Sequence, residues 1–563
     1  MPSYNDLLQL TGSFEAYLGN PATQETPMSF KESLRCDEQD SLAWPQIKFI
    51  QQWGFMEYLI PQVLGGKLNS LNELVFITRA IGRRDLTTAI ALGISYLATL
   101  PVWIAGNSKQ KQQMADCLRR GEIGAFALTE EEHGSDVAAN EVNAKPYNNG
   151  WQLSGKKWCI NFATLSDFAT IVCRTHPKGG PLGFSVFTLD KSRITGLTPI
   201  PKLKTYGVRG LDISGFTLKD VFLPAEALIG EEKRGLEIAY KTLQVSRALC
   251  AGFAISCTDT ALRMALSFSL QRQLYGNTAY NIPVVKQRLG EQFTQLLIAD
   301  CTTLAMIRAC SIMPQKLSFW SAILKSIIPT ICENIVEQCG IVMGARGYLR
   351  TTEWAMFQKI KRDVQVVGLF DGSSQVNLSL ISGNLLPQVG MRATFSIDSL
   401  PQIEQIFNLS IDCPEFSGTG LGLFTHSEDD IFGSLAYLKC ESINPLITAI
   451  QAEIEKLDKQ VLYLKEQKLF EPRSLTAFRL AERYCWIFAA SCCLHFWHYN
   501  RERLSKLFRN SDWITLAIQL ILNKLQATSN IDNLLQESMA EQLVAFYEEN
   551  IMFSMLPTKI PKC

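Results

Sequence analysis

Histidine is scarce in this chain, with five residues in 563, so there is little imidazole for metal binding. The nearest approach to a cluster, Cys492, Cys493, His495 and His498 on one predicted helix, meets no structural-zinc spacing, and no metal site is assigned. An excess of charge is also missing. Lys and Arg number 54 and Asp and Glu 54, which excludes a global field that would draw nucleic acid or an acidic membrane surface. No uncharged apolar run reaches the ~18–20 residues of a membrane span. The first twenty residues lack a basic start followed by an unbroken apolar segment, so no secretory signal is read and a cytoplasmic location is expected. Cysteine is not scarce. Its 16 copies scatter through apolar, helix-like stretches such as SRALCAGFAISC without a disulfide framework, and they read as small buried hydrophobes.

What is present is enough chain for three or four units at roughly 150 residues each. Apolar residues recur at helical spacing over residues 1–121. Short alternating or β-branched runs between Gly, Asn, Asp and Pro turns fill residues 122–232 and predict a small antiparallel β-domain. Helical periodicity returns over residues 233–388, an irregular linker is expected at residues 389–414, and a further helical domain at residues 415–563. The fold class is therefore mainly α with a central antiparallel β-domain, a helical bundle after it and a helical C-terminal extension. Segregated helices and strands argue against a doubly wound sheet and its dinucleotide-binding turn. The glycine-rich GTGLGLF from Gly418 precedes no βαβ unit and reads as a loop. SDWITLAIQLILNKL has an apolar face that suits a membrane surface, but a core helix is favoured.

The stretch RDVQVVGLFDGSSQ, Arg362 to Gln375, sets Asp371 between an apolar run and a Gly-Ser-Ser turn. Two readings follow. Asp is a preferred N-cap for a helix beginning near Gly372. A carboxylate in apolar company is also a candidate base, because desolvation raises its pKa towards neutrality. The residues alone favour the cap.

Several motifs together resemble the acyl-CoA dehydrogenase family of flavoproteins over about residues 45 to 385. GAFALTEEEHGSD (Gly124–Asp136) resembles the strand and loop beside the family's flavin, with Phe126, Leu128, Thr129 and Ser135 at matched positions. GKKWCIN (Gly155–Asn161) resembles the second flavin strand, with Trp158 and Ile160 against the ring; Ile160 stands where a hydroxyl residue is expected at flavin N5. GVRGLDISGFTLKDVFLP resembles the strand pair that closes the β-domain. Arg272 and Tyr275 in LQRQLYG resemble the residues that meet the FAD of a neighbouring subunit, Gln287 in PVVKQRLGE matches the glutamine that follows them, Gly344 in QCGIVMGARGYLR resembles a glycine-containing FAD contact, and Ser373 and Gln375 match positions near the adenine part of FAD.

By this resemblance Asp371 falls where most of the family carries a catalytic glutamate. The implied reaction is removal of an α proton by that carboxylate while the β hydrogen leaves as hydride to flavin N5, giving a trans-enoyl thioester. The resemblance turns the balance at Asp371 from cap to base. Ser135, Gln244, Arg247 and Gly372 are the implied substrate-binding positions. Gln244 replaces an acidic residue that many members use in binding CoA, so the thioester arm is either CoA or the phosphopantetheine of an acyl-carrier protein. Two alternatives stay open: a flavin oxidase or monooxygenase resembling the nitroalkane oxidase branch, although Leu378 replaces the arginine usual seven residues after the base, and a non-catalytic flavin-binding or assembly protein. The extension loosely resembles that of the long-chain members. An electron acceptor, and a homo-oligomer with a dimer favoured, are the partners implied; no nucleic acid is expected.

Overall fold

A computed structural model describes residues 4–423, 429–527 and 531–562. Six helices open the chain: α1 (Tyr4–Leu18), α2 (Phe30–Glu38), α3 (Trp44–Gln52), α4 (Leu71–Gly82), α5 (Leu86–Ala105) and α6 (Ser108–Arg119). Capping chemistry sets their starts. Ser70 and Glu73 form a reciprocal capping box on α4, Asp85 caps α5, and Asn107 with Gln110 box α6.

The strands follow: β1 (Gly124–Ala127), β2 (Asn143–Tyr147), β3 (Gly150–Asn161), β4 (Phe168–Arg174), β5 (Phe184–Asp190), β6 (Leu197–Ile200), β7 (Ile213–Pro224) and β8 (Leu228–Ile229). They form one eight-stranded sheet in the order β6-β7-β3-β2-β4-β5-β8, with β1 beside β4. The sheet is mixed rather than antiparallel throughout. β1 runs parallel to β4, Gly124 opposite Phe168, and β2 touches β4 in parallel at Asn143 and Arg174. The β2–β3 hairpin is the crossover that a parallel pair needs, so alternating strands alone did not reveal it.

Helices resume with α7 (Gly235–Gln271), then a β9–β10 turn (Gln273–Leu274, Asn277–Thr278), α8 (Pro283–Ile312), α9 (Leu317–Met343), α10 (Met356–Asp363) and α11 (Ser374–Met391). The 37-residue α7 is the axis of the molecule, packed against α4, α5, α8 and α9. The stretch expected as a linker holds α12 (Leu400–Phe407). Ile403, Ile406 and Phe407 bury one face of it, and the Arg308 guanidinium donates to the Gln405, Ile406, Asn408 and Ile411 carbonyls that its end leaves open. The extension continues with α13 (Asp430–Gly433), α14 (Asn444–Glu466), α15 (Leu475–Asn500), α16 (Lys506–Arg509), α17 (Asp512–Gln526) and α18 (Asn533–Glu548).

SDWITLAIQLILNKL is α17, and its apolar side is buried within the extension. GTGLGLF is loop as far as Leu423; Phe424 lies outside the described residues. Contrary to the sequence expectation of no span-length apolar run, four segments among the described residues, including α5 (Leu86–Ala105, without a charged residue), α7 and α8, are long and apolar enough to span a membrane, but 78–94% of each such window is buried within the molecule. Length and composition are satisfied here by core packing. The fifteen described cysteines are all free, twelve of them buried, and His495 bonds Ser434 and the Ile431 carbonyl while stacking on Phe407.

Buried charge ties the last residues to the helical core. Arg79 pairs with Asp300 at 2.5 Å, Arg83 with Glu15 at 2.6 Å and Asp259 at 3.1 Å, and Arg84 with Glu15 at 2.9 Å. The chain end completes the network: Phe553 N donates to Asp259, Met555 N and Ser554 Oγ to Asp300, and Arg79 to the Phe553 carbonyl. Burial pushes the Glu15 and Asp259 carboxyls up, but Arg83 with Arg84 at the first, and Arg83 with Arg263 at the second, hold both below the usual range.

Groups with a depressed folded pKa contribute stability above their unfolded pKa and lose it as pH falls through the folded one. Unfolding free energy should therefore be level in these groups above about pH 5 and decline on acidification through and below about pH 4, with a shallower decline in Glu15→Gln. Asp300→Ala, which strands Arg79, should cost about 3–5 kcal/mol in urea titrations at neutral pH.

Candidate active site

Between α5 and α7 lies a narrow cavity of about 50 Å³. Its walls are mainly apolar, with Ile90, Ile94 and Leu97 from α5 and Leu249 and Phe253 from α7. At Gly93 an added Cβ would stand 2.7 Å from Phe253 Cζ, so glycine is what lets the two helices approach there. Asp371, Asn161, Cys250, Ser246, Thr78 and Tyr96 are its polar wall residues.

The carboxylate arrives on a loop whose backbone is fixed by two buried cations. Lys325 on α9 donates from Nζ to the Val367 carbonyl at 2.5 Å and the Gly372 carbonyl at 3.3 Å, bracketing the segment that carries Asp371, and lies 5.4 Å from the Phe370 ring centre. Arg247 on α7 donates from Nε to the Asp371 carbonyl at 3.0 Å. Burial lowers the pKa of both cations, and Asp371 is among the charges that pull each back up. Asp371 itself has φ +54°, an uncommon value for a non-glycine residue, and Gly372 has φ +91°. A Cβ at Gly372 would lie 3.1 Å from Arg247 Nη2, so glycine there serves both the dihedral and the close guanidinium.

The helix cap is Ser373, whose Oγ accepts from Val376 N at 3.4 Å, and not Asp371. The Asp371 side chain is left to the cavity, half-buried, with Cys250 Sγ 3.5 Å from Oδ2. Among the described residues its backbone N–H has no hydrogen-bond partner.

On the sheet, Glu130 and Lys157 form a buried pair at 2.8 Å that joins the loop after β1 to β3; Lys157 also donates to the Leu128 carbonyl, and Trp158 N to that of Thr129. Phe126 and Leu128 are buried, Thr129 and Trp158 half-buried, and Ser135 exposed. A β-bulge intervenes at Cys159, which has φ +56° and lies in the register shift between Trp158 and Ile160. One extra residue reverses the alternation. Ile160 is consequently buried at 3% exposure, and Asn161 is the residue that lines the cavity with Asp371. Asn161, which the sequence reading did not single out, thus joins Asp371 in the cavity wall beside the expected position, Ile160.

Other expected positions disperse. Arg272 and Tyr275 are exposed, the latter at 97%, and Gly344 (φ +55°) has open space where a side chain would stand. Gln375 is exposed on the first turn of α11. Gln287 bonds Glu537 of α18 at 3.1 Å, so its amide faces the extension rather than open space. Buried Gln244 donates to the Gly422 carbonyl at 2.7 Å. Lys325, Cys250, Asn161 and Tyr96 were not anticipated. A lone lysine inside SAILKSIIPT was the available signal for the first, and Cys250 stands one helical turn after Arg247.

Residues 125–221 match the model of the acyl-CoA dehydrogenase middle domain, and residues 233–386 that of the acyl-CoA dehydrogenase C-terminal domain. The human short-chain specific acyl-CoA dehydrogenase, mitochondrial, is 25% identical over 361 residues, 63% of this chain and 86% of the relative. The caffeyl-CoA reductase-Etf complex subunit CarC of Acetobacterium woodii is 27% identical over 339 residues, 60% of this chain and 88% of the relative. Among solved structures, the acyl-CoA dehydrogenase complexed with FAD from Bacillus anthracis superposes with a TM-score of 0.68 at 16% identity, covering 96% of this chain and 88% of that one. The prolyl acyl carrier protein oxidase AnaB gives a TM-score of 0.59 at 19% identity, covering 67% and 98%.

Replacing Lys325 with Met removes the donor to two carbonyls at once. Stability should fall by about 1–3 kcal/mol in urea titrations as the Val367 and Gly372 carbonyls lose their donor.

Proposed function

Because residues 125–221 and 233–386 are the middle and C-terminal domains of the acyl-CoA dehydrogenase family, an oxidoreductase family that acts on CH–CH bonds and binds FAD, we propose that this protein is an FAD-dependent acyl-thioester dehydrogenase with Asp371 as its base. One observation carries the reading: a carboxylate free of capping duty stands in the wall of an apolar cavity, on a loop clamped by Arg247 and Lys325.

The residues suit the cofactor by their donor chemistry. Half-buried Trp158 and Thr129 would meet the ring system, Ser373 and Gln375 at the start of α11 the remainder of the molecule, and the exposed Arg272 guanidinium the pyrophosphate of a second subunit. FAD when bound supplies the acceptor for the β hydride. Asp371 takes the α proton. Its unpartnered N–H is available to the thioester carbonyl, where a hydrogen bond would stabilise the charge that develops as the proton leaves. The walls of α5 and α7 exclude water from the acyl group. Asn161 offers an amide in the same wall, beside the Ile160 that stands where the family carries a hydroxyl residue.

The thioester is delivered on CoA or on a carrier-protein arm, and the electrons pass to a flavoprotein acceptor. The working unit is a cytoplasmic dimer. Arg272, Tyr275 and Gly344 stand open for a second copy, whereas α18 occupies the outer side of α8 so closely that a Cβ at Gly290 would be 1.9 Å from the Gln536 carbonyl oxygen.

Anaerobic titration of the FAD-loaded protein with acyl-CoA and acyl-carrier-protein series should bleach the flavin and yield a product two hydrogens lighter. Asp371→Asn should keep the bound flavin and lose about 10²–10⁴ in the bleaching rate. Bleaching only with oxygen uptake on a substrate other than a thioester would instead identify an oxidase, and no bleaching with any substrate a non-catalytic flavoprotein.

A further inference from the structure

The cavity's polar wall atoms differ in one respect. Thr78 Oγ1 donates to the Leu74 carbonyl at 2.8 Å or the Val75 carbonyl at 3.0 Å, Ser246 Oγ to the Leu243 carbonyl at 3.4 Å, and Cys250 Sγ meets Asp371. Tyr96, on α5 and only 2% exposed, lines the same cavity, and its hydroxyl has no hydrogen-bond partner among the described residues. A buried hydroxyl left unmatched is costly, and native interiors seldom leave one so. Phenylalanine would fill the same volume without that cost.

We propose that the Tyr96 hydroxyl recognises a polar group on the acyl chain, so that the preferred substrate carries a hydroxyl, oxo or amine substituent rather than plain hydrocarbon. The inference rests on the acyl-thioester reading above and adds the substrate class to it. Tyr96 lines a cavity whose hydroxyls on Thr78 and Ser246 are satisfied internally, so of the three lining hydroxyls an entering polar substituent finds this one unengaged. Burial raises the phenol's pKa well beyond the working range, keeping it protonated and able both to donate and to accept. A hydrocarbon acyl group would fill the apolar wall and leave the hydroxyl unpaired, which penalises it relative to a chain that can bond. The small volume of the cavity, about 50 Å³, favours a compact chain.

The test uses FAD-loaded, full-length protein carrying Asp371→Asn to prevent turnover, with Tyr96 or with Tyr96→Phe. Probes are pantetheine thioesters, whose arm is common to CoA and carrier proteins, in matched pairs: butanoyl against 4-hydroxybutanoyl and 4-oxopentanoyl against hexanoyl. Affinity is read from the flavin spectrum and from the shift in thermal midpoint. With Tyr96 the oxygen-bearing members should bind about tenfold more tightly than their hydrocarbon partners, and Tyr96→Phe should erase that preference while leaving hydrocarbon affinity within about threefold. Equal affinity within pairs for the Tyr96 protein, or a preference that survives Tyr96→Phe, overturns the inference while leaving the thioester reading intact. Failure of both members of every pair to bind either protein overturns the thioester reading and the inference with it.

Discussion

The site depends on a backbone held by buried cations. Lys325 and Arg247 have no carboxylate within ion-pair distance among the described residues and spend their hydrogen bonds on the Val367, Gly372 and Asp371 carbonyls. Burying a charge without a matched ion is costly, so such cations persist where the geometry they impose is required. What they impose is a positive φ at Asp371 and Gly372, a conformation an unconstrained chain would leave. The strain is local, and the clamp belongs to α7 and α9, the two most closely packed helices of the molecule.

The frame that makes the clamp rigid is itself ionic at its margins. Lys359 of α10 bridges Asp85 at the start of α5 and Asp363, Asp363 accepts from Val208 N in the loop after β6, and Arg362 pairs with Asp37 of α2. One short helix thus ties the N-terminal helices, the sheet and the site loop together. On the far side, α18 and the chain end close over α8 and α4 through Gly290, Asp259 and Asp300. The extension reaches the site neighbourhood through Gly422, whose carbonyl accepts from Gln244.

Much of the architecture was legible because it follows periodicity. The change from helix to strand near Gly124 and back at Gly235 follows the switch in apolar spacing, and Asp371 stood out because an acidic residue interrupted an apolar run. What escaped reading depends on contacts between distant segments. The parallel pairing of β1 with β4 requires knowing where a hairpin folds, and the bulge at Cys159, which turns Asn161 to the cavity, has no local signature stronger than one residue of slippage. The bonds of Gln287 to Glu537 and of Gln244 to Gly422 join residues about 250 and 180 positions apart, and no local pattern announces them. The helix α12 escaped because its apolar face is only three residues deep.

In the proposed reaction the base is an aspartate, one methylene and about 1.5 Å shorter than the glutamate it would replace. Longer reach is therefore not available to the side chain, and the remaining variables are the loop and the substrate. The loop is fixed by Lys325 and Arg247 at one position, and Cys250 Sγ already lies against Oδ2. The adjustment then falls on the substrate, which must bring its α carbon closer to the wall. A narrow cavity walled by α5 and α7 and an unpaired hydroxyl on Tyr96 act in that direction, the first by limiting where a compact acyl group can rest and the second by fixing its far end. The short base, the tight cavity and the polar anchor are in this view one adaptation, with the distance lost at the carboxylate recovered by the placement of the acyl chain.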